Sequence, residues 1–190
     1  MGRAALLIID MQNDFVLEAK PLKVAGASAV IPKIQSVLAE FRKRNLPVFH
    51  ILRVHRPDGS DVEIIRQDLF RKQPFAVAGS HGAAVIDELA PRAGEYVLTK
   101  TRMSAFIGTE LDLMLRTLKV TTLIVCGIQT PNCIRTTVFD GIAYNYPVVL
   151  IGDATGAASG EVHLANIRDM QNIGVKIIKS GDVAGLLEGM

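Results

Sequence analysis

Short apolar runs alternate along this chain with segments whose apolar residues return every three or four positions, and that rhythm admits few folds. The runs are Ala4–Ile9, Pro47–Leu52, Glu95–Leu98, Val120–Cys126, Val148–Ile151 and Val175–Ile178. Most of them lack apolar/polar alternation, the pattern of strands covered on both faces. Between them, Ile31, Ile34, Val37, Leu38 and Phe41 keep helical spacing, as do Leu111, Leu115 and Leu118. Ile134, Val138 and Ile142 follow a four-residue step, and Leu164, Ile167 and Met170 a three-residue step. Asn45-Leu46-Pro47 and Asn172-Ile173-Gly174 read as helix stops. Strand alternating with helix, joined by right-handed crossovers, predicts an α/β protein: a doubly wound, mostly parallel six-stranded sheet with helices on both faces. A length of 190 residues suits one domain spanning residues 1–190.

Composition narrows the function. Hydrophobic residues make up 49% and the formal net charge is only +2, so disorder is disfavoured and no basic block points to nucleic acid. No apolar run approaches the ~18 residues of a membrane span. The first apolar run stops at Asp10, too soon for a signal peptide, and the expected location is cytoplasmic. Free thiols rather than a disulfide are therefore expected at Cys126 and Cys133. The first strand lacks a Gly-x-Gly-x-x-Gly turn and no Walker sequence occurs, which argues against a dinucleotide-binding oxidoreductase. One stretch breaks the rhythm: Arg53 to Gly79 reads as a long, charged, turn-rich insertion, the kind of loop that is functional or mobile.

In an open parallel sheet, ligands bind beyond the carboxyl ends of the strands, so the residues following each run are the candidates. Asp10 follows the first, Arg53 and His55 the second, and Lys100, Thr101 and Arg102 the third. Gly127 to Cys133 follow the fourth, and Gly152-Asp153-Ala154-Thr155 the fifth. Thr130-Pro131 reads as an N-cap and first helical residue, which puts Cys133 in the first turn. A helix N-terminus or a nearby lysine lowers a thiol pKa and supplies amides for a developing oxyanion. Asp10 is then a carboxylate able to take the thiol proton, and Lys100 a cation that positions Asp10 and helps ionise Cys133. Taken singly, Asp10 also reads as a turn cap, Lys100 as a solvated lysine and either cysteine as a core thiol. Three complementary groups at the ends of different strands favour the catalytic reading of Cys133.

At these residues the chain resembles the isochorismatase-like cysteine hydrolases, a superfamily with a Rossmann-like three-layer fold. Ile8-Ile9-Asp10-Met11-Gln12-Asn13-Asp14-Phe15 is similar to the family's opening motif. Lys100 to Phe106 resembles its lysine motif, Val125 to Cys133 its nucleophile motif, and Asp153-Ala154-Thr155 also fits. The resemblance implies a catalytic triad of Asp10, Lys100 and Cys133, and a cis peptide at Ile128–Gln129 that aims the Gln129 amide, with that of Cys133, as an oxyanion hole. It implies hydrolysis of the C–N bond of a small amide or carbamoyl compound through a thioester, without a cofactor, in a homodimer or homotetramer. Nicotinamidases of the family hold a metal with an Asp-x-His pair. Here the pair reads Arg53-Val54-His55, a cation in place of the carboxylate, so no catalytic metal is expected; His81 reads as a turn histidine. Arg53 or Arg102 is expected to hold a substrate carboxylate, and Phe15, Phe106 and Ile128 to wall the pocket. The alternatives are a noncatalytic small-molecule binder on the same scaffold and a vinyl ether hydrolase of isochorismatase type, which carries an acid where this chain has Cys133.

Overall fold

The computed structural model describes residues 2–17 and 22–190. Six strands form one sheet: β1 (Ala4–Ile9), β2 (Val48–Arg53), β3 (Tyr96–Lys100), β4 (Thr122–Ile128), β5 (Val148–Gly156) and β6 (Lys176–Ile178). Their order is β3-β2-β1-β4-β5-β6, and every neighbouring pair is parallel. The helices are α1 (Asn13–Val16), α2 (Ala27–Lys43), α3 (Gln67–Lys72), α4 (Leu111–Thr117), α5 (Arg135–Ala143), α6 (Gly160–Asn172) and α7 (Val183–Glu188).

Burial on both faces explains the unbroken apolar runs. Ala4, Leu6 and Ile8 of β1 pack with Val30, Ile34, Val37 and Phe41 of α2 and Val183 of α7. Ala5, Leu7 and Ile9 point the other way, into a core with Leu111 and Leu115 of α4, Val138 of α5 and Met170 of α6. Successive side chains on a strand face opposite sides, so a strand between two helix layers needs apolar residues at every position. Cys126 sits fully buried among the α2-side residues, and burial pushes its thiol far up; it is a core residue.

The strand order reverses between β1 and β4, because β2 lies on one side of β1 and the chain crosses over after β3. Ligand crevices form at such a reversal, at the carboxyl ends of the strands. Gly127 lets the two strands meet there: its φ is 113°, and a Cβ would lie 2.2 Å from the Ile9 carbonyl oxygen.

The elements differ from the sequence reading in two places. β5 runs on through Gly152-Asp153-Ala154-Thr155 to Gly156, where a loop was expected, because Gly127 and Ile128 continue to pair with Thr155 and Gly156 past a register shift. The insertion after β2 is packed rather than loose. Val62, Phe70, Phe75 and Ala76 form a small core of their own. The His55 ring meets Phe70 and Phe75 edge-on, and His55 bridges to Val77.

The outer edge is fastened by Glu95, just before β3. Arg42 of α2 grips it with Nε 2.6 Å from Oε1 and a second nitrogen 3.0 Å from Oε2, and buried His50 of β2 places Nε2 2.9 Å from Oε2. Burial works against the charge, but these donors and the Arg92 backbone N–H hold the Glu95 carboxyl down at about 2.

Candidate active site

The sheet register brings distant residues together. Ile9 pairs with Ile51 and Arg53 with Lys100, so Asp10, Arg53 and Lys100 emerge side by side. Asp10 turns the chain off β1 with φ 54°, a left-handed conformation that Asp tolerates better than most residues. Its N–H donates to the Ile51 carbonyl at 2.9 Å. Lys100 ends β3 with Nζ 3.0 Å from Asp10 Oδ2 and 3.2 Å from the Arg102 carbonyl. The other Asp10 oxygen, Oδ1, is buried without a hydrogen-bond partner. Gln12 ties β1 to β2: its Nε2 donates to the carbonyls of Arg53 and Ala83, and its Oε1 accepts from the Arg53 N–H, each at 2.8 Å.

Cys133 lies on a π-helical turn, Thr130–Ile134, that leads into α5. The cap is Gln129, not Thr130 as the sequence suggested. The Gln129 carbonyl accepts from Asn132 and Ile134, both at 3.1 Å, so the wider turn passes over the Cys133 N–H. The Thr130 hydroxyl is engaged elsewhere, donating to the Gly156 carbonyl at 3.0 Å and lying 2.9 Å from His163 Nδ1. The Ile128–Gln129 peptide is cis.

Cys133, Asp10, Gln129 and Asn132 line one cavity with Phe15, Val24, Ile128, Arg53 and Arg66. It encloses about 340 Å³ of empty space, part of it open to solvent. Arg53 is 1% exposed, which excludes a surface role. One guanidinium nitrogen lies 2.8 Å from Glu63 Oε1 and the other 3.8 Å from Cys133 Sγ. Burial opposes its charge, but Cys133, Asp10 and Glu63 together raise its pKa further. Glu63 in turn is held below the usual carboxylate range: burial works against it, and the hydrogen bond and charge of Arg53 prevail, helped by Arg66.

The sulfur departs from expectation. A depressed pKa was expected from the helix end and Lys100. Burial pushes the Cys133 thiol up instead, and the Asp10 charge adds to that, while Lys100 and Arg53 only partly offset it. The Cys133 thiol is therefore neutral at pH 7.

Two expected pocket residues lie elsewhere. Arg102 is exposed and donates to the Asp61 carbonyl at 2.7 Å, because the chain bends outward after Lys100. Phe106 stacks on Tyr144, ring centroids 5.0 Å apart, in the core under α4 and α5. Phe15 and Ile128 do line the cavity. Arg66 also lines it and was not singled out from sequence, since a charged residue beside Ile64 and Ile65 in a turn-rich stretch carries no periodic signal. Buried His55 turns Nδ1 to Asp61 at 3.3 Å, and Asn13 Nδ2 donates to the His81 carbonyl at 2.8 Å. Among the described residues, no group of three or more His, Cys, Asp or Glu side chains is placed to hold a metal ion. No helix among them is long and apolar enough to cross a membrane.

The chain is similar to known proteins over most of its length. The isochorismatase domain model matches residues 4–182. A protein of Arabidopsis thaliana named a probable inactive nicotinamidase is 44% identical over 176 residues, covering 90% of each chain. The N-carbamoylsarcosine amidase of an Arthrobacter species is 32% identical over 187 residues, covering 96% of this chain and 68% of that one. Among solved structures, an isochorismatase family protein from Desulfovibrio vulgaris superposes with a TM-score of 0.95 at 44% identity, over 99% of this chain and all of that one.

Proposed function

The chain belongs to the isochorismatase family, and from that membership we propose that it is a cysteine hydrolase that cleaves the C–N bond of a small amide or carbamoyl compound. The observation that carries this reading is the placement of Asp10. Lys100 anchors one carboxylate oxygen, the other is buried and unpartnered, and Asp10 lines the same cavity as Cys133.

In this mechanism Asp10 takes the proton from Cys133 as Sγ bonds to the substrate carbonyl carbon. The C=O electrons move to oxygen, which the backbone N–H groups of Gln129 and Cys133 receive as an oxyanion hole. As the carbonyl re-forms, the C–N bond breaks and the nitrogen leaves with the proton held by Asp10. Water then attacks the thioester, giving a proton to Asp10, and that proton returns to the sulfur as the acid departs. Because the thiol starts neutral, proton transfer accompanies attack. The Arg53 guanidinium at 3.8 Å stabilises the negative charge that develops on sulfur. A permanent cation already stands beside the sulfur, where it opposes a divalent metal, so the reaction is metal-independent.

The test is ammonia release from a panel of small amides, ureas and carbamoyl acids, with intact-mass detection of a Cys133 acyl adduct. Turnover unaffected by EDTA together with such an adduct supports the reading; turnover without any adduct, or lost on chelation and restored by a divalent ion, overturns it. A second reading, a noncatalytic small-molecule binder, is favoured by the name of the Arabidopsis relative. It predicts ligand binding with no ammonia release from any member of the panel.

A further inference from the structure

His163 is a titratable group outside the cavity to which the proposed mechanism gives no work, yet it touches the turn that carries Cys133. It stands in the first turn of α6, a helix whose one fully buried residue is Met170, and is itself half-buried. The helix start sets its place: the Ser159 hydroxyl accepts from the Val162 N–H at 3.2 Å, and the Ser159 carbonyl accepts from the His163 N–H at 3.0 Å. From there Nδ1 lies 2.9 Å from the Thr130 hydroxyl oxygen, which lies 3.0 Å from the Gly156 carbonyl at the end of β5.

Counting protons fixes the direction of both bonds. A carbonyl oxygen only accepts, so the single Thr130 hydroxyl proton goes to Gly156. The Thr130 oxygen then has only lone pairs to offer, and His163 Nδ1 supplies the hydrogen. Burial holds the His163 pKa below the usual histidine value, so at pH 7 the ring is neutral with its proton on Nδ1. Thr130 is thereby gripped from two sides, by α6 and by β5.

The gripped residue comes one position after Gln129 and three before Cys133, the two residues whose N–H groups form the proposed oxyanion hole. Backbone bonds close the turn on itself, with the Gln129 carbonyl accepting from Asn132 and Ile134 at 3.1 Å, while the Thr130 hydroxyl ties the turn to its surroundings. A displacement of about 1 Å at such donors can cost on the order of a hundred-fold in rate. A second tie between the same elements, Arg135 to Asp169 at 2.6 Å, is 40% and 47% exposed; exposed pairs of this kind contribute little, and it reaches α5 beyond Cys133.

We propose that His163 is a positioning residue: its Nδ1–H bond to Thr130 holds the nucleophile turn in the orientation that serves hydrolysis. The effect on turnover rests on the cysteine hydrolase reading, but the contact itself is measured without substrate.

Imidazole nitrogen NMR at pH 7 should find the His163 proton on Nδ1; a proton on Nε2 instead overturns the proposal. His163→Phe keeps a ring and removes the donor, whereas His163→Asn keeps a donor and removes the ring. Amide hydrogen exchange over Thr130–Ile134 should quicken about five-fold or more in His163→Phe and return toward wild type in His163→Asn. Unchanged exchange in the first variant, or no recovery in the second, overturns the role. In amide hydrolysis, His163→Phe should lower kcat about five-fold or more with KM within about two-fold, and His163→Asn should restore part of the loss. Asp169→Asn breaks the other tie and controls for loosening of α6 as a whole; it should leave kcat within about two-fold. If it lowers kcat as far as His163→Phe does, or if His163→Phe moves KM and spares kcat, His163 only docks α6 and the proposal falls. If the NMR and exchange results hold while no member of the amide panel is hydrolysed, the contact stands and the hydrolase reading falls.

Discussion

Lys100 Nζ and Asp10 Oδ2 form a 3.0 Å ion pair with both side chains buried, between residues 90 positions apart. Removing one partner of a buried pair leaves the other charge uncompensated, which costs about 3–5 kcal/mol. Lys100→Met is therefore expected to lower stability by about that amount and to abolish turnover. Asp10→Asn keeps the shape and an acceptor toward Lys100, so it should cost less stability and equal activity. Denaturant melts and ammonia release on the two variants check this; a Lys100→Met protein with wild-type stability would contradict it.

Cys133→Ala and Cys133→Ser should each cut kcat by at least about a thousand-fold, while thermal melts stay within about 1–2 kcal/mol of the parent. The side chain is small, and its hydrogen-bonding demands are slight. A Cys133→Ala variant that retains activity would remove the sulfur from the mechanism.

Arg53 and Glu63 act on the sulfur with opposite signs. Burial raises the Cys133 thiol and Arg53 pulls it back, so Arg53→Met should move its alkylation to higher pH, slowing iodoacetamide labelling at pH 8 by about ten-fold per unit shifted. Glu63→Gln frees the Arg53 charge and should move the profile to lower pH. Labelling rates read by mass spectrometry at Cys133 decide; superimposable profiles for all three proteins would exclude Arg53 as the balancing charge. In the parent, labelling should be slow at pH 7 and still rising past pH 9.

Gly127→Ala places a methyl group 2.2 Å from the Ile9 carbonyl at a φ of 113°. The β1–β4 pair must part or the turn must shift, and the expected loss is about 2–4 kcal/mol, with activity falling in step because Asp10 and Cys133 flank that contact. A chemical melt and a kcat measurement suffice, and an unperturbed variant would refute the close approach.

Glu95 links stability to acid. Its carboxyl is held at about 2, against 4.5 for a free side chain. A depressed carboxylate contributes stability that is complete above its unfolded pKa and lost as pH falls through the folded one. Glu95→Gln should thus cost about 1.5–3 kcal/mol at pH 7, with the difference from wild type shrinking between pH 4.5 and 2. A difference that stays constant over that range would show that the Arg42 and His50 contacts are not electrostatic.

The fold was legible because the central strands of this sheet are covered on both faces; Leu6 and Leu7 must both be apolar, and uninterrupted runs announce that. Legibility failed where partners rather than periodicity decide. Gly152 and Asp153 look like a turn, yet β5 passes through them as an irregularity and resumes pairing with β4 at Thr155 and Gly156. Arg102 and Phe106 sit close to Lys100 in sequence, but the backbone bends between them and sends one to the surface and the other into the core. Thr130-Pro131 imitates a cap, while the hydroxyl is drawn to Gly156 and His163. The state of the Cys133 thiol depends on how deeply it is enclosed, a quantity no spacing encodes. Arg66 belongs to a turn whose placement rests on the small core around Phe70 and Phe75, and only that packing delivers it to the cavity.

Because Asp10, Arg53, Lys100 and Cys133 come from four separate strand ends, and adjacent strands supply them only in register, competence for chemistry arrives last in folding. No local fragment brings the carboxylate and sulfur together, and a chain truncated before α5 has no helix to seat the sulfur. Long-range closures of this kind are slow compared with helix formation. Gain of activity during refolding is therefore a direct clock for completion of the central sheet, lagging behind any signal from helix content.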